Sequence, residues 1–274
     1  MMNLTRLSGH TADLATQVFN MSVFEAIISG IVQGVTEFLP ISSSGHLVLL
    51  HNFFGLSEPG IFFDICLHLG TLGAVVLYFR KELFQIVRER NLFMISCLVI
   101  GTIPAVIAAF LFKEHIEVFF VKPRMVAFMF IGTALVLFGG QYCLQNQNKK
   151  REVSRRSSFL IGLAQAAALL PGVSRSGTTI FAGLALGVEP EKAFRFSFLL
   201  AIPVIAGAAC YEVFKINSAE ILTSDILGYA VGTITAFLVG LMALPLLLKI
   251  IRRRLLYVFG VYCLLLGMTL IFWM

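Results

Sequence analysis

Six apolar runs of about 20 residues, at 62–80, 92–112, 124–144, 196–214, 226–248 and 255–273, set what this chain can fold into. A run of that length, wound as a helix, matches the hydrocarbon thickness of a bilayer. The runs therefore predict an all-α polytopic membrane protein with six transmembrane helices. Composition agrees: 58% of the 274 residues are hydrophobic and only 13% are charged, which excludes a soluble core. The longest polar connections run about a dozen residues, so no separate soluble domain is expected. The formal charge of +6 requires no nucleic-acid partner, because the Lys and Arg residues lie in short loops where they fix orientation and meet anionic headgroups.

Segments 24–56 and 158–188 differ from these runs. Each is two apolar half-runs interrupted by Pro, Ser and Gly, too short apiece to span and too apolar for a loop. Both are expected to be re-entrant helical hairpins, tolerated at depth only where protein or a watery cavity surrounds the broken backbone. Their centres repeat each other 132 residues apart: QGVTEFLPISSSGHL runs from Gln33 to Leu47 and QAAALLPGVSRSGTT from Gln165 to Thr179. They share Gln33/Gln165, Ile41/Val173, Ser42/Ser174, Ser44/Ser176 and Gly45/Gly177, and each has a Pro just before its serines.

Loop charge orients the chain. Arg80, Lys81, Arg88 and Arg90 share one connection, Lys149, Lys150, Arg151, Arg155 and Arg156 another, and Lys249, Arg252, Arg253 and Arg254 a third. The loops between them carry only Lys113, Lys122 and Arg124, or Lys215 alone. By the positive-inside rule the three rich loops are cytoplasmic and both termini face outside. An odd number of crossings per half then inverts the second copy, and the two Ser/Gly tips meet near the midplane. The expected organisation is an N-terminal extension at 1–21 and one membrane domain at 22–274, with repeat halves at about 22–147 and 157–274. Residues 1–20 contain no continuous apolar stretch, so no cleaved signal peptide is expected. Cys66, Cys97, Cys143, Cys210 and Cys263 are isolated in apolar stretches and read as small core hydrophobes.

The chemistry is concentrated in the two loops. Gln33 and Glu37 are four apart and share a helix face, Pro40 breaks that helix, and Ser42, Ser43 and Ser44 offer hydroxyls before His46 opens the next one. Serines at a helix start are also caps. Glu37 and His46, ionisable at membrane depth, cost several kcal/mol unless paired, which favours function. The second loop sets Arg175 among Ser174, Ser176, Gly177, Thr178 and Thr179 at a helix start, an anion cradle with the residue suited to bidentate phosphate binding. The plainer reading of Arg175 is a structural tie to Glu37. Asp64 and His68, four apart on the first full span, are candidates for support of the site or for interfacial solvation. Face to face, the loops suit phosphoryl transfer, but spacing alone leaves a phosphatase and an anion carrier both open.

The runs QGVTEFLPISSSGH and PGVSRSGTT, with FSFLLAIP at 196–203, resemble the signature segments of the undecaprenyl-diphosphate phosphatase family, also called the bacitracin-resistance family, from about Ser22 to the C-terminus. The resemblance implies a bacterial plasma (inner) membrane enzyme that hydrolyses the polyprenyl diphosphate lipid to its monophosphate for cell-wall synthesis, built from six transmembrane helices and two re-entrant hairpins in an inverted repeat. It implies that Glu37 and His46 are catalytic, that Ser43 is a candidate nucleophile, and that Ser174, Arg175, Ser176 and Thr179 hold phosphate; Ser42 and Ser44 are expected to join them. Gln33 stands at a position where the family has Glu or Gln, and with Asp64 is a supporting residue. A divalent cation, Mg²⁺ or Ca²⁺, is implied at Glu37 and the substrate oxygens. The expected chemistry is attack by Ser43 or water with Glu37 or His46 as base, or a phosphohistidine route through His46. The site is expected to face the outside. The competing reading is a transporter or flippase for an anionic polyprenyl lipid.

Overall fold

The computed structural model describes residues 22–54, 61–120, 122–146, 151–214 and 226–273, and among them the fold is entirely helical. The expected extension at 1–21 lies outside the described residues. Twelve helices are present there: α1 (Val23–Phe38), α2 (Ser43–Phe54), α3 (Ile61–Tyr78), α4 (Arg80–Arg88), α5 (Leu92–Leu111), α6 (Lys113–Phe120), α7 (Pro123–Asn146), α8 (Arg155–Ala167), α9 (Arg175–Ala185), α10 (Pro190–Val213), α11 (Ile226–Arg252) and α12 (Tyr257–Trp273).

Their ends follow from local chemistry. Ser22 and Glu25 form a reciprocal cap that starts α1, and Ser154 with Ser157 does the same for α8. Pro40 lies just beyond α1, where a residue without N–H cannot extend the helix. Gly187, at φ +79°, lets the chain turn after α9 as Val188 N–H donates to Gly183 O at 2.9 Å. α10 begins at Pro190, six residues before its apolar run, because Pro is well suited to a first turn and Glu191, Lys192 and Arg195 are accommodated there by ion pairs.

Four helices, α5, α7, α10 and α11, are long and apolar enough to cross a membrane, and a fifth span results if α3 and α4 count as one bent element. The expectation of six equal full-length spans is therefore met only in coarser form. The run at 62–80 does not stay straight: the chain bends by 68° at Phe79 and continues as the amphipathic α4. α12 is apolar but has only 17 residues. Neither α4 nor α6 is expected from the apolar runs. The fold remains that of an all-α polytopic membrane protein.

The broken segments pack in exchange. α1 lies along α11, α8 lies along α5, α3 meets both α10 and α11, and α7 meets α9 and α12. Close approach is set by glycine: a β-carbon on Gly34 would fall 2.8 Å from Ala236 O, and one on Gly162 2.3 Å from Gly101 O. Arg151, before α8, and Val188, after α9, pair as a β-bridge, so the chain enters and leaves this helix pair at one level. Beneath the loop of the first pair sits an aromatic core, with Phe38, Phe79 and Phe194 all ringed around Phe198 at centroid distances of 5.6, 6.3 and 4.9 Å. Outward-facing Val99, Ile103, Ile107 and Phe110 of α5 are exposed, as expected of a surface whose solvent is lipid.

Candidate active site

The two interrupted segments meet at their tips. Gly172, at φ +94°, donates its N–H to Ser42 Oγ at 3.1 Å, and a β-carbon on Gly45 would lie 2.9 Å from Gly172 Cα. Thr133 of α7 ties the second tip, donating to Gly172 O at 2.7 Å and accepting from Ser174 N–H at 3.0 Å. Ser42 itself holds φ +69°, a left-handed conformation rare for residues other than Gly, Asn and Asp. Behind each tip a serine caps the following helix: Ser42 Oγ accepts from Gly45 N–H at 3.4 Å, and Ser174 Oγ from Gly177 N–H at 3.1 Å. The N-terminal ends of α2 and α9 thus come from the two repeated motifs into one place, and each end carries partial positive charge.

At this junction Glu37, from the last turn of α1, is buried. Arg175 Nη2 donates to Glu37 Oε1 at 2.6 Å, across 138 residues of sequence. Ser43 donates to Glu37 Oε2 at 2.6 Å, and Gln33 Nε2 reaches the same oxygen at 3.3 Å. His68 of α3 places Nε2 3.8 Å from Oε2. Two buried polar atoms of the cluster have no hydrogen-bond partner, Arg175 Nη1 and Gln33 Oε1. A guanidinium that spends one edge on a carboxylate and leaves a donor unpaired presents a ready anion contact.

Of the residues singled out by sequence, the structure brings together Gln33, Glu37, Ser43 and Arg175. It does not join His46 to Glu37. The His46 ring is held by Ser42 O at Nδ1, 2.7 Å, and by the Tyr262 hydroxyl at Nε2, 2.8 Å, with its edge against Phe130. Since a carbonyl can only accept, Nδ1 carries the proton and Nε2 accepts from Tyr262. Asp64 directs its carboxylate to His51, 3.7 Å away, not to Glu37. The remaining hydroxyls bond within the frame: Ser42 to Ser44 and Ser174 to Ser176, each at 3.3 Å, and Thr179 to Ser197 at 2.6 Å. In the sequence His68 carries a single signal, an imidazole four residues from Asp64 within an apolar run. Tyr262, 216 residues from His46, left no signal at all.

The described residues hold no group of three carboxylate, imidazole or thiol ligands suited to a metal ion. Both oxygens of Glu37 already accept hydrogen bonds, and the cation beside it is Arg175. Among the described residues this donor set does not make up the coordination of a resident divalent ion.

Fold and site together define a polytopic membrane protein that buries an acid, a hydroxyl and a guanidinium where two broken helices meet. The chain belongs to the family described as bacitracin resistance protein BacA, whose model matches residues 26–269. Among curated relatives it is 38% identical over 262 residues to an undecaprenyl-diphosphatase of Syntrophotalea carbinolica, covering 90% of this chain and 97% of that protein. It is 40% identical over 264 residues to one of Geotalea daltonii, covering 90% and 96%. It is 38% identical over 263 residues to one of Moorella thermoacetica, covering 93% and 99%.

Proposed function

We infer that this chain hydrolyses undecaprenyl diphosphate to undecaprenyl phosphate and inorganic phosphate, which returns the lipid carrier to cell-wall synthesis and underlies bacitracin resistance. Family membership supports the reaction, and one structural observation supports the place: Arg175 Nη1 is buried without a partner beside the Glu37–Ser43 pair. A diphosphate whose terminal phosphoryl group met that nitrogen and the ends of α2 and α9 would have its charge neutralised by groups fixed in advance. Ser43 Oγ is then the candidate nucleophile, with Glu37 Oε2 at 2.6 Å to receive its proton. His46, bonded at both ring nitrogens, fits a positioning role for the Ser42 turn better than a phosphohistidine route. Ser42, Ser44, Ser174, Ser176 and Thr179 shape the cradle whose backbone faces phosphate.

The finer architecture belongs to the same reading: one membrane domain from residue 22, six crossings, two re-entrant hairpins and inverted halves. The exchanged packing of α1 on α11 and α8 on α5 supports the inversion, and the pairing of Arg151 with Val188 supports re-entry of the second hairpin. Ion pairs join Arg195 to Glu82, Lys192 to Glu152 and Arg252 to Glu191. These join the ends that loop charge assigns to the cytoplasm, leaving the first hairpin to open outward from the inner membrane.

The test is phosphate release from undecaprenyl or farnesyl diphosphate by purified protein in detergent, which abolishes vectorial transport but not hydrolysis. Release that is lost in Arg175→Ala supports the reading. An inactive wild type that still moves the lipid in vesicles would establish the transporter instead.

A further inference from the structure

His68 is the imidazole nearest the reacting groups, and its geometry differs from that of His46. Its Nδ1 lies 2.7 Å from Asp64 O, one helical turn earlier on α3. The carbonyl can only accept, so Nδ1 is the protonated nitrogen and Nε2 carries the lone pair in the neutral ring. That Nε2 points at Glu37 Oε2 across 3.8 Å, and the ring is about one-third exposed beside a carboxylate that is almost fully buried. At 3.8 Å the two acceptors have no hydrogen bond between them, and a proton taken up by one gives the other a partner once the side chains close to hydrogen-bond distance. The donor that can supply that proton is Ser43, whose O–H lies 2.6 Å from the same Oε2.

We propose that His68 is the proton-holding partner of Glu37 in the hydrolysis inferred above, acting through Glu37 as a positioning residue. In the first half-reaction the Ser43 Oγ–P bond forms and the bond from that phosphorus to the bridging oxygen breaks, releasing the polyprenyl monophosphate. The Ser43 proton passes to Glu37 Oε2 and on to His68 Nε2. Glu37 thereby returns to the carboxylate form, and its other oxygen, Oε1, keeps its ion pair with Arg175. In the second half-reaction water attacks the phosphoserine and gives a proton to Glu37; the stored proton returns to Ser43 Oγ as the P–O bond breaks. Inorganic phosphate carries the remaining proton away. Without His68, Glu37 would stay neutral for the life of the phosphoserine while Arg175 still faces it, an uncompensated buried charge.

Around the His68 ring the titratable groups are Glu37 of α1 and, through it, Arg175 of α9, together with Asp64 of α3, whose carboxylate is within electrostatic reach of His68 and lies 3.7 Å from His51 of α2.

The experiment uses the full chain in detergent with farnesyl diphosphate, comparing wild type with His68→Gln and His68→Ala. The expected result is a kcat lowered about 100-fold, the scale of a lost proton-transfer partner, with KM nearly unchanged. Gln is expected to be as slow as Ala because it hydrogen-bonds but holds no extra proton. Added imidazole is expected to restore part of the His68→Ala rate and none of the Glu37→Ala rate. In wild type, kcat plotted against deuterium fraction is expected to bow, reporting two protons in motion. Variants that keep kcat with no response to imidazole, or that change KM alone, overturn the proposal, and so does a linear deuterium plot. The plot needs no variant, so a misfolded substitution leaves the test intact. A wild type that releases no phosphate refutes the inferred hydrolysis itself, a distinguishable failure.

Discussion

Glu37 shows how much one side chain can be asked to do. It accepts from Ser43, Gln33 and Arg175 while almost fully buried, so its charge is held by hydrogen bonds and one cation with little help from solvent. Breaking a buried pair from one side leaves the other charge uncompensated, at a cost of roughly 3–5 kcal/mol. Glu37→Gln and Arg175→Met are each expected to lower the melting temperature and abolish phosphate release. The double variant Glu37→Gln/Arg175→Met should regain most of the stability and none of the activity; thermal unfolding and phosphate release, measured on all three, separate the two roles. Ser42 carries a second prediction. Its φ of +69° is unfavourable for a residue with a β-carbon, but its hydroxyl accepts from Gly172 N–H. Ser42→Gly removes the strain along with the bond, whereas Ser42→Ala keeps the strain, so Gly should unfold later than Ala by about 1 kcal/mol. The acid, the guanidinium and the serines were legible in sequence because ionisable groups stand out in apolar runs. Which histidine joins them was not: His46 and His68 both bond back to a carbonyl four residues earlier, and spacing along one helix does not fix the direction in which the ring faces another.

At the level of elements, glycine decides where the broken helices lie. Gly30 and Gly34 of α1 approach Gly232 O and Ala236 O of α11 so closely that a β-carbon would fall 2.6 and 2.8 Å from those oxygens. The obstacle in each case is backbone, which cannot step aside as a flexible side chain can. Gly34→Ala is therefore expected to push α1 off α11, carrying Gln33 and Glu37 with it, and to lose both activity and thermal stability. Gly132 and Gly207 have nothing within 4 Å of the same atom; Gly132→Ala and Gly207→Ala should melt at or above the wild-type temperature. If all three substitutions behaved alike, close approach would not be what positions Glu37. The apolar runs placed most helices to within a few residues. They missed the bend at Phe79 because Arg80 and Lys81 read as the start of a loop. The segment from Arg80 to Arg88 instead forms a helix with Phe84 and Val87 exposed on its surface. An amphipathic helix of this kind suits the headgroup boundary, where a charged face and an apolar face both find solvent.

For the whole molecule, the ordering principle is that the exposed ion pairs gather at one end. Glu82 after the bend of α3, Glu152 before α8, Glu191, Lys192 and Arg195 at the start of α10, and Arg252 at the end of α11 are joined by ion pairs. Exposed pairs of this kind add little stability singly, but they can form only if all of these ends lie on the same side. That side is the one loop charge assigns to the cytoplasm: contact gathers these ends together, and the composition of the loops supplies the proposed orientation. Lys122, between α6 and α7, should then face outward, and Arg253, beyond α11, inward; both are exposed. Thiol labelling of intact and permeabilised spheroplasts distinguishes the alternatives. Cys66, Cys143 and Cys210 need replacement first, whereas Cys97 and Cys263 are fully buried and can stay. Lys122→Cys should react with an impermeant reagent in intact cells, and Arg253→Cys only after permeabilisation. The reverse pattern would turn the first hairpin toward the cytoplasm and with it the mouth of the site. Labelling of both positions from outside would instead break the proposed odd count of crossings between them, and with it the proposed inversion of the two halves.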